Sequence, residues 1–148
     1  MALVRRSGGT CCERARSVTQ MFRHELSVRY SECDLQGVVF NAHYLAYCDH
    51  AMDEYLRAVL GDDSPFELML KAAQLTWHAP LKYREIVALD CRVARWGTSS
   101  MDVAVSATVD HQQRFDAVIT YVAIDAGADV PRPVSIPANI RALFTALD

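Results

Sequence analysis

Four long segments, rich in β-branched residues and largely alternating between apolar and polar positions, most constrain the fold of this chain. They occupy residues 72–81, 86–96, 100–110 and 115–125. The connections between them are short and read KYRE, GTS and HQQR. Connections of this length join antiparallel strands, because parallel neighbours need a crossover of about a dozen residues or more. The sequence therefore predicts an antiparallel sheet in the second half of the chain.

The first half adds one more strand and a helix. Residues 22–30 alternate apolar and polar side chains, whereas residues 41–60 carry apolar side chains at helical spacing. Residues 64–70 predict a short second helix, and a closing helix is expected from about Pro137. We therefore expect an α+β fold, in which an antiparallel sheet of about five strands curls around one long helix. An uncovered sheet edge in such a fold favours a homo-oligomer.

Size and charge limit the kinds of partner. The chain has 148 residues, which suits one domain over residues 21–148, and residues 1–20 are expected to form a flexible tail. The formal net charge is −3, and an acidic body is a poor match for the phosphates of nucleic acid. The longest charge-free run, residues 35–48, is too short to span a membrane.

Cysteine usage indicates the compartment. The chain has 5 cysteines, an odd number, and no apolar signal segment, which favours free thiols in a reducing cytoplasm. A C-x-x-C pair is missing from the sequence, and His43 and His50 lie seven residues apart on the predicted helix, too far to share one zinc ion. We expect no metal, and we expect Cys33 to be a buried, inert thiol.

The stretch CDLQGVVFNAHY, residues 33–44, contains the strongest candidate for chemistry. Asp34 lies seven residues before the helix start at Asn41, and Gly37 between them permits a tight turn. A helix N-terminus presents unpaired N–H groups that can stabilise a carbonyl oxygen as it gains negative charge. A carboxylate beside such donors suits hydrolysis, although Asp34 can equally be a loop or capping residue.

A resemblance supports the hydrolytic interpretation. The segment VRYSECDLQGVVFNAHYLAYCDHAMDEYL, residues 28–56, resembles the signature of the hotdog-fold acyl-CoA thioesterases, in the 4-hydroxybenzoyl-CoA thioesterase family. The segments WHAPLKYREIV, RWGTSSM and RPVSIPANIRALF resemble later parts of the same family, so the likeness covers about residues 22–147. It implies a hotdog fold in which the sheet wraps around a central helix.

The resemblance also implies roles for individual residues. Asp34 matches the catalytic carboxylate, Gly37 the glycine of the turn, and the backbone N–H of Asn41 the donor to the thioester carbonyl. Many relatives have His or Tyr in place of Asn41, and the Glu-x-Ala-Arg of their helix reads DHAM here, at residues 49–52. The residues implied to contact substrate are Val39, Phe40, Tyr44, Ser99 and Ser100.

The function expected from the sequence is hydrolysis of an acyl-CoA or acyl-carrier-protein thioester, with Asp34 as nucleophile or general base and no cofactor. The resemblance implies an active site between subunits of a homodimer or homotetramer. A non-catalytic acyl-CoA-binding protein is the alternative from another class. Trp77, on a predicted strand, is expected in the core or at the subunit interface.

Overall fold

The computed structural model describes residues 21–147, so the predicted tail over residues 1–20 lies outside the described residues. The elements are β1 (Phe22–Ser27), a 3₁₀ turn (Tyr30–Glu32), α1 (Asn41–Leu60), β2 (Glu67–Trp77), β3 (Ile86–Trp96), β4 (Ser100–Val109), β5 (Gln112–Asp125), β6 (Arg132–Pro133) and α2 (Ala138–Leu147).

The predicted antiparallel sheet is confirmed. Its strand order is β1-β3-β4-β5-β2, every pairing is antiparallel, and the two-residue β6 adds to β5. The β3–β4 hairpin has the predicted connection GTS. The β4–β5 turn is shorter than the predicted HQQR, because β5 already begins at Gln112. Strands β1 and β2, which are separated from each other by α1 in the chain, form the two long edges of this sheet.

Helix α1 packs its apolar stripe against the sheet, and its observed bounds equal the predicted ones. Its buried side chains recur every three or four residues and are Tyr44, Tyr47, Cys48, Ala51, Met52 and Tyr55. Gly61, whose φ is 80°, ends the helix and donates its N–H to the carbonyl of Arg57 at 2.9 Å.

The C-terminal helix α2 closes one end of the core. Phe144 is fully buried, and its ring meets those of Tyr55 and Trp96 edge-to-face at 5.0 and 5.7 Å. Arg141 donates to the carbonyl oxygens of Gly97 and Thr98 at 2.5 and 3.2 Å. The β3–β4 turn is therefore fixed to α2 rather than free in solvent.

The predicted short helix over residues 64–70 is wrong, because strand β2 begins at Glu67. Ser64 does act as a capping residue, but its hydroxyl accepts the N–H of Phe66 at 3.2 Å in a local turn. Beyond that turn, Leu68 and Leu70 alternate with exposed residues, which is the period of a strand. Ser64 and Pro65 therefore begin a turn and not a helix.

The same strand ends earlier than predicted, at Trp77 rather than residue 81. The N–H groups of His78 and Ala79 both donate to the carbonyl of Arg114, at 2.8 and 3.1 Å, so the ladder cannot continue in register. Pro80 follows and has no N–H to give. The chain leaves the sheet here and forms a crossing segment, residues 80–85, before β3 begins.

Neither helix among residues 21–147 combines the length and the apolar character that crossing a membrane requires.

Candidate active site

A small hairpin carries the candidate carboxylate. Cys33 and Val39 pair as an antiparallel bridge, and the N–H of Asp34 donates to the carbonyl of Val38 at 2.9 Å. The turn at its tip closes through the N–H of Gly37 to the carbonyl of Asp34 at 3.0 Å, with φ of Gly37 at 76°. A side chain is strained at that φ, so the glycine is explained by the turn.

The carboxylate of Asp34 has one oxygen engaged and one open. Oδ1 accepts the N–H of Gln36 at 2.8 Å, which is the geometry of an Asx turn. Oδ2 has no hydrogen-bond partner among the described residues, and the residue is exposed. The structure thus shows the capping role considered from the sequence, and it leaves the second oxygen accessible to a water or a substrate.

The N-terminus of α1 lacks a cap. The N-cap residue is Phe40, which makes no side-chain hydrogen bond, and the first turn contains no acidic residue. The N–H of His43 is bonded to the carbonyl of Phe40, at 2.9 Å. The N–H groups of Asn41 and Ala42 come before this first bonded N–H and have no acceptor within the helix, and both residues are exposed. Free N–H groups at a helix N-terminus can stabilise an oxygen atom that gains negative charge.

The pairing of the hairpin brings acid and donors together. Because Asp34 pairs with Val38, it lies in register only two residues before the N-cap Phe40. The N–H of Phe40 donates to the carbonyl of Glu32 at 2.9 Å, which fixes the chain entering the helix against the chain entering the hairpin. The six residues between Asp34 and Asn41 are therefore folded back rather than extended.

The crossing segment, residues 80–85, supports this hairpin. The N–H of Val39 donates to the carbonyl of Leu81 at 2.9 Å, and Val38 bridges Lys82. Arg114 in turn donates to the carbonyl of Pro80 at 3.0 Å and to Glu85 at 2.9 Å. Sequence reasoning did not find Arg114 or Glu85, because only strand register brings them to this place.

Tyr44 serves packing in the structure. Its ring is buried and meets Phe115 and Trp77 edge-to-face at 5.1 and 5.9 Å, and its hydroxyl accepts the N–H of Leu81 at 3.0 Å. Burial raises the pKa of the Tyr44 hydroxyl, with added contributions from the nearby carboxylates of Glu85 and Asp34. A substrate contact from Tyr44 stays a prediction.

Replacing Tyr44 by Phe should lower the free energy of unfolding by about 1–3 kcal/mol, since the buried N–H of Leu81 loses its acceptor. Urea denaturation followed by fluorescence measures this change. Hydrolytic activity of the folded variant should be retained. A loss of activity without a loss of stability would instead assign the hydroxyl to chemistry.

The two serines of the β3–β4 turn lie far from Asp34 within one chain. Strand β3 has 11 residues, so its ends are roughly 33 Å apart. The Asp34 hairpin meets the segment just before the start of this strand, whereas Ser99 and Ser100 follow its end. The predicted contact of Ser99 and Ser100 with a substrate arm therefore requires a second subunit.

The other polar candidates have structural partners. The thiol of Cys33 is half-buried and lies 3.8 Å from the carbonyl oxygen of Arg29, while burial raises the pKa of the Cys48 thiol to about 12. The hydroxyl of Tyr121 donates to Asp49 at 3.1 Å. Ligand atoms of His50, Asp53 and Glu54 lie within 4.8 Å of one another on α1, mostly exposed. Nothing tests the predicted lack of a metal, which stays a prediction.

Fold and site together define a class of protein. An antiparallel sheet in the order β1-β3-β4-β5-β2, a 20-residue helix packed on it and an acid-bearing hairpin before that helix are the features of the hotdog fold expected from the sequence. The model of the Thioesterase-like superfamily matches residues 28–144, and the chain belongs to that family. Its predicted class, a thioesterase, is thereby confirmed.

Individual relatives agree with this assignment. The chloroplastic acyl-acyl carrier protein thioesterase ATL3 of Arabidopsis thaliana is 27% identical over 135 residues, which cover 87% of this chain and 70% of the relative. A predicted thioesterase from Bacillus stearothermophilus has a similar structure, with a TM-score of 0.77, 20% identity, and coverage of 85% of this chain and 95% of that one. A 4-hydroxybenzoyl-CoA thioesterase in complex with 4-hydroxybenzoyl-CoA has a TM-score of 0.74 and 14% identity, with coverage of 84% of this chain and 99% of that one.

Proposed function

We propose that this protein hydrolyses the thioester of an acyl group carried on coenzyme A or on an acyl carrier protein, giving the free acid and the thiol. Asp34 is the catalytic carboxylate, and the N–H groups of Asn41 and Ala42 form the oxyanion hole. Both carriers present the same phosphopantetheine thiol. The curated relative acts on acyl-carrier-protein thioesters by its name, whereas the structural relative holds a CoA ester.

One observation carries this proposal: Asp34, exposed and with its Oδ2 open, pairs with Val38, two residues before the uncapped N-terminus of α1. A helix N-terminus in solvent is normally capped by Ser, Thr, Asp or Asn, because its first N–H groups lack partners. Here the cap position holds Phe40, 53% exposed. A thioester carbonyl seated there would supply the missing acceptor, and its carbon would face the carboxylate.

The chemistry is balanced without a cofactor. In the general-base route Asp34 takes a proton from water, the water oxygen bonds to the carbonyl carbon, and the C–S bond breaks to release thiolate. That thiolate then takes up the proton. In the nucleophilic route Asp34 itself bonds to the carbonyl carbon, and the C–S bond breaks to release thiolate and leave a mixed anhydride. Water then hydrolyses the anhydride, which regenerates the Asp34 carboxylate and releases the acid, and the proton from that water passes to the thiolate. A thiolate is a good leaving group, so neither route needs a strong general acid.

A panel of substrates tests the reaction class. The wild-type protein would be incubated with short, medium, long and aromatic acyl-CoA esters and with an acyl-carrier-protein ester, and free acid would be followed by chromatography. We expect turnover of at least one ester. Binding of these esters without release of acid from any of them would favour the acyl-CoA-binding protein, in which Asp34 has only the turn-capping role seen at its Oδ1.

We also propose that the active unit is a homo-oligomer joined at the edge of β2, with α1 as the central helix of each sheet. Strand β2 has 11 residues, and among residues 21–147 it pairs with β5 alone. Its side chains Met69 and Trp77 are 50% and 49% exposed. A long unpaired edge with exposed apolar side chains favours pairing with another strand. In two copies joined there, Ser99 of one subunit would be a candidate contact for the substrate of the other subunit.

Ala73 lies near the middle of β2, is exposed, and would lie close to its own copy across a two-fold axis at that edge. Ala73→Lys should therefore convert the oligomer into a smaller species, since like charges opposite each other destabilise strand pairing. Light scattering after size-exclusion chromatography measures the mass. Ala58→Lys, on an exposed position of α1, is the matched control and should leave the mass unchanged.

We further propose that the protein is located in the cytoplasm. Three cysteines, Cys33, Cys48 and Cys91, are free thiols in the described part of the chain. Free thiols are typical of a reducing compartment.

A further inference from the structure

Glu32, the last residue of the 3₁₀ turn, connects the Asp34 hairpin to helix α1 at two separate points. Its backbone carbonyl accepts the N–H of Phe40, the N-cap residue of α1, at 2.9 Å. Its carboxylate oxygen Oε2 accepts the hydroxyl of Tyr47, within α1, at 2.6 Å. Phe40 and Tyr47 are seven positions apart in the chain, roughly 10 Å along a helix axis. Attachment at two such points fixes the direction of the helix as well as its position.

The hairpin strand that carries Asp34 depends on this connection. The outgoing strand is held by the crossing segment, which accepts the N–H of Val39 at 2.9 Å and bridges Val38. The incoming strand, residues 32–34, pairs with the outgoing strand and reaches the helix through Glu32. Loss of the Glu32 contacts would therefore let Asp34 move relative to the N–H groups at the start of α1.

The surroundings of Glu32 suit positioning rather than acid–base chemistry. Its side chain is only 12% exposed, and Oε2 accepts the backbone N–H of Arg29 at 2.7 Å in addition to the Tyr47 hydroxyl. The guanidinium of Arg29 lies 3.7 Å from the other oxygen, Oε1. Both oxygens are therefore engaged by the protein, in contrast to the open Oδ2 of Asp34.

Tyr47 is placed so that its hydroxyl stays a donor. Its ring is buried on the apolar stripe of α1, 6.4 Å from the ring of Tyr44. Burial, together with the hydrogen bond to Glu32, raises the pKa of the Tyr47 hydroxyl far above its usual range. The hydroxyl therefore remains protonated, and its bond to Glu32 persists, over the whole pH range in which the enzyme would work.

We infer that Glu32 and Tyr47 are positioning residues, which hold Asp34 in the place where it meets a carbonyl bound at the start of α1. The inference rests on the proposed function. A displacement of about 1 Å at the reacting groups can lower a rate by about a hundredfold, so a hydrogen bond outside the reacting centre can control catalysis. Neither residue contacts the substrate, and both should therefore affect kcat more than KM.

Tyr47→Phe is the first test, because it removes the hydroxyl and keeps the buried ring. We expect kcat for the best ester of the substrate panel to fall roughly ten- to a hundredfold, with KM unchanged. The matched control is Tyr121→Phe, since the buried hydroxyl of Tyr121 also donates to a carboxylate on α1, that of Asp49, at 3.1 Å. The control should lose a similar amount of thermal stability and keep the wild-type kcat.

Replacements of Glu32 separate positioning from chemistry. In Glu32→Gln the amide oxygen can still accept the Tyr47 hydroxyl and the N–H of Arg29, so most of the wild-type kcat should remain. Glu32→Ala should lower kcat as Tyr47→Phe does, and the double variant should lower it no further than Glu32→Ala alone. The acid limb of the pH–rate profile, which belongs to Asp34 in this mechanism, should be unchanged in Glu32→Gln.

Amide hydrogen exchange, measured by NMR, reports on the connection without any substrate. The N–H of Phe40 should exchange roughly tenfold faster in Tyr47→Phe than in the wild-type protein, as for loss of one hydrogen bond, because its acceptor Glu32 is less firmly held. Exchange at Phe40 should be unchanged in Tyr121→Phe.

The inference is overturned if folded Tyr47→Phe keeps the wild-type kcat, or if Tyr121→Phe loses as much. Equal inactivity of Glu32→Gln and Glu32→Ala would also overturn it and would make the Glu32 charge part of the reaction. So would equal exchange at Phe40 in Tyr47→Phe and wild type. Failure of the proposed function looks different: the wild-type protein then hydrolyses no ester, while exchange at Phe40 still responds to Tyr47→Phe.

Discussion

Asp34→Asn should lower kcat/KM for the best acyl-CoA substrate by roughly 10²- to 10⁴-fold, the range expected when a general base is removed. The amide oxygen of Asn can accept the same N–H of Gln36, so the Asx turn and the hairpin should persist. Only the basic and nucleophilic character of the open oxygen is lost. Steady-state kinetics with chromatographic detection of the free acid measures the change.

The matched control is Asp129→Asn, in the loop between β5 and β6, where Asp129 is exposed. It removes the same charge from the chain and should leave kcat/KM within about twofold, as surface changes generally do. Circular dichroism and the thermal midpoint of each variant show that the fold is kept. Full activity in a folded Asp34→Asn protein would remove the catalytic assignment and leave Asp34 a turn residue.

The second large effect is expected from Asn41→Pro. Position 41 is the first residue of α1, where proline is favoured because its missing N–H has no intrahelical partner in any case. Phe40 before it has φ −66° and ψ 138°, a conformation that a following proline accepts. The substitution therefore removes one donor of the proposed oxyanion hole while the helix remains, and kcat should fall by roughly 10²- to 10³-fold.

Asn41→Ala separates the backbone from the side chain. It keeps the N–H and removes only the amide, so activity should stay within about tenfold of wild type if the backbone carries the effect. Equal activity of Asn41→Pro and Asn41→Ala would contradict the oxyanion hole at this residue. A large loss in both would assign the role to the amide of Asn41.

The elements predicted with correct bounds are those with one dominant local signal. Helix α1 has a long 3.6-residue period that ends at a glycine with positive φ, and β3 is a β-branched run between short connections. The helix predicted over residues 64–70 is wrong because two local signals conflict there. Ser64 and Pro65 favour a helix start, whereas the alternation that includes Leu68 and Leu70 favours a strand, and pairing with β5 decided the outcome.

Part of the candidate site could likewise be predicted from local sequence signals, and part could not. Asp34, Gly37 and the helix start are close in sequence, so their proximity could be predicted from the turn and the helix period. The support from Leu81 and Arg114 could not, because it depends on the register of strands far apart in the chain. The contact between the rings of Tyr30 and Tyr83 likewise depends on the pairing of β1 with β3, which ends at Ser27 and Ile86.

The cap position of α1 has a consequence for how this protein could evolve or be engineered. Ser or Asp at position 40 would satisfy the free N–H groups and typically adds about 1 kcal/mol to the stability of a helix. The same side chain would occupy the place proposed for the substrate carbonyl. Selection for thermal stability alone would therefore drive position 40 toward a residue that inhibits the enzyme from within, and Phe40 marks a site where the two selective pressures oppose each other.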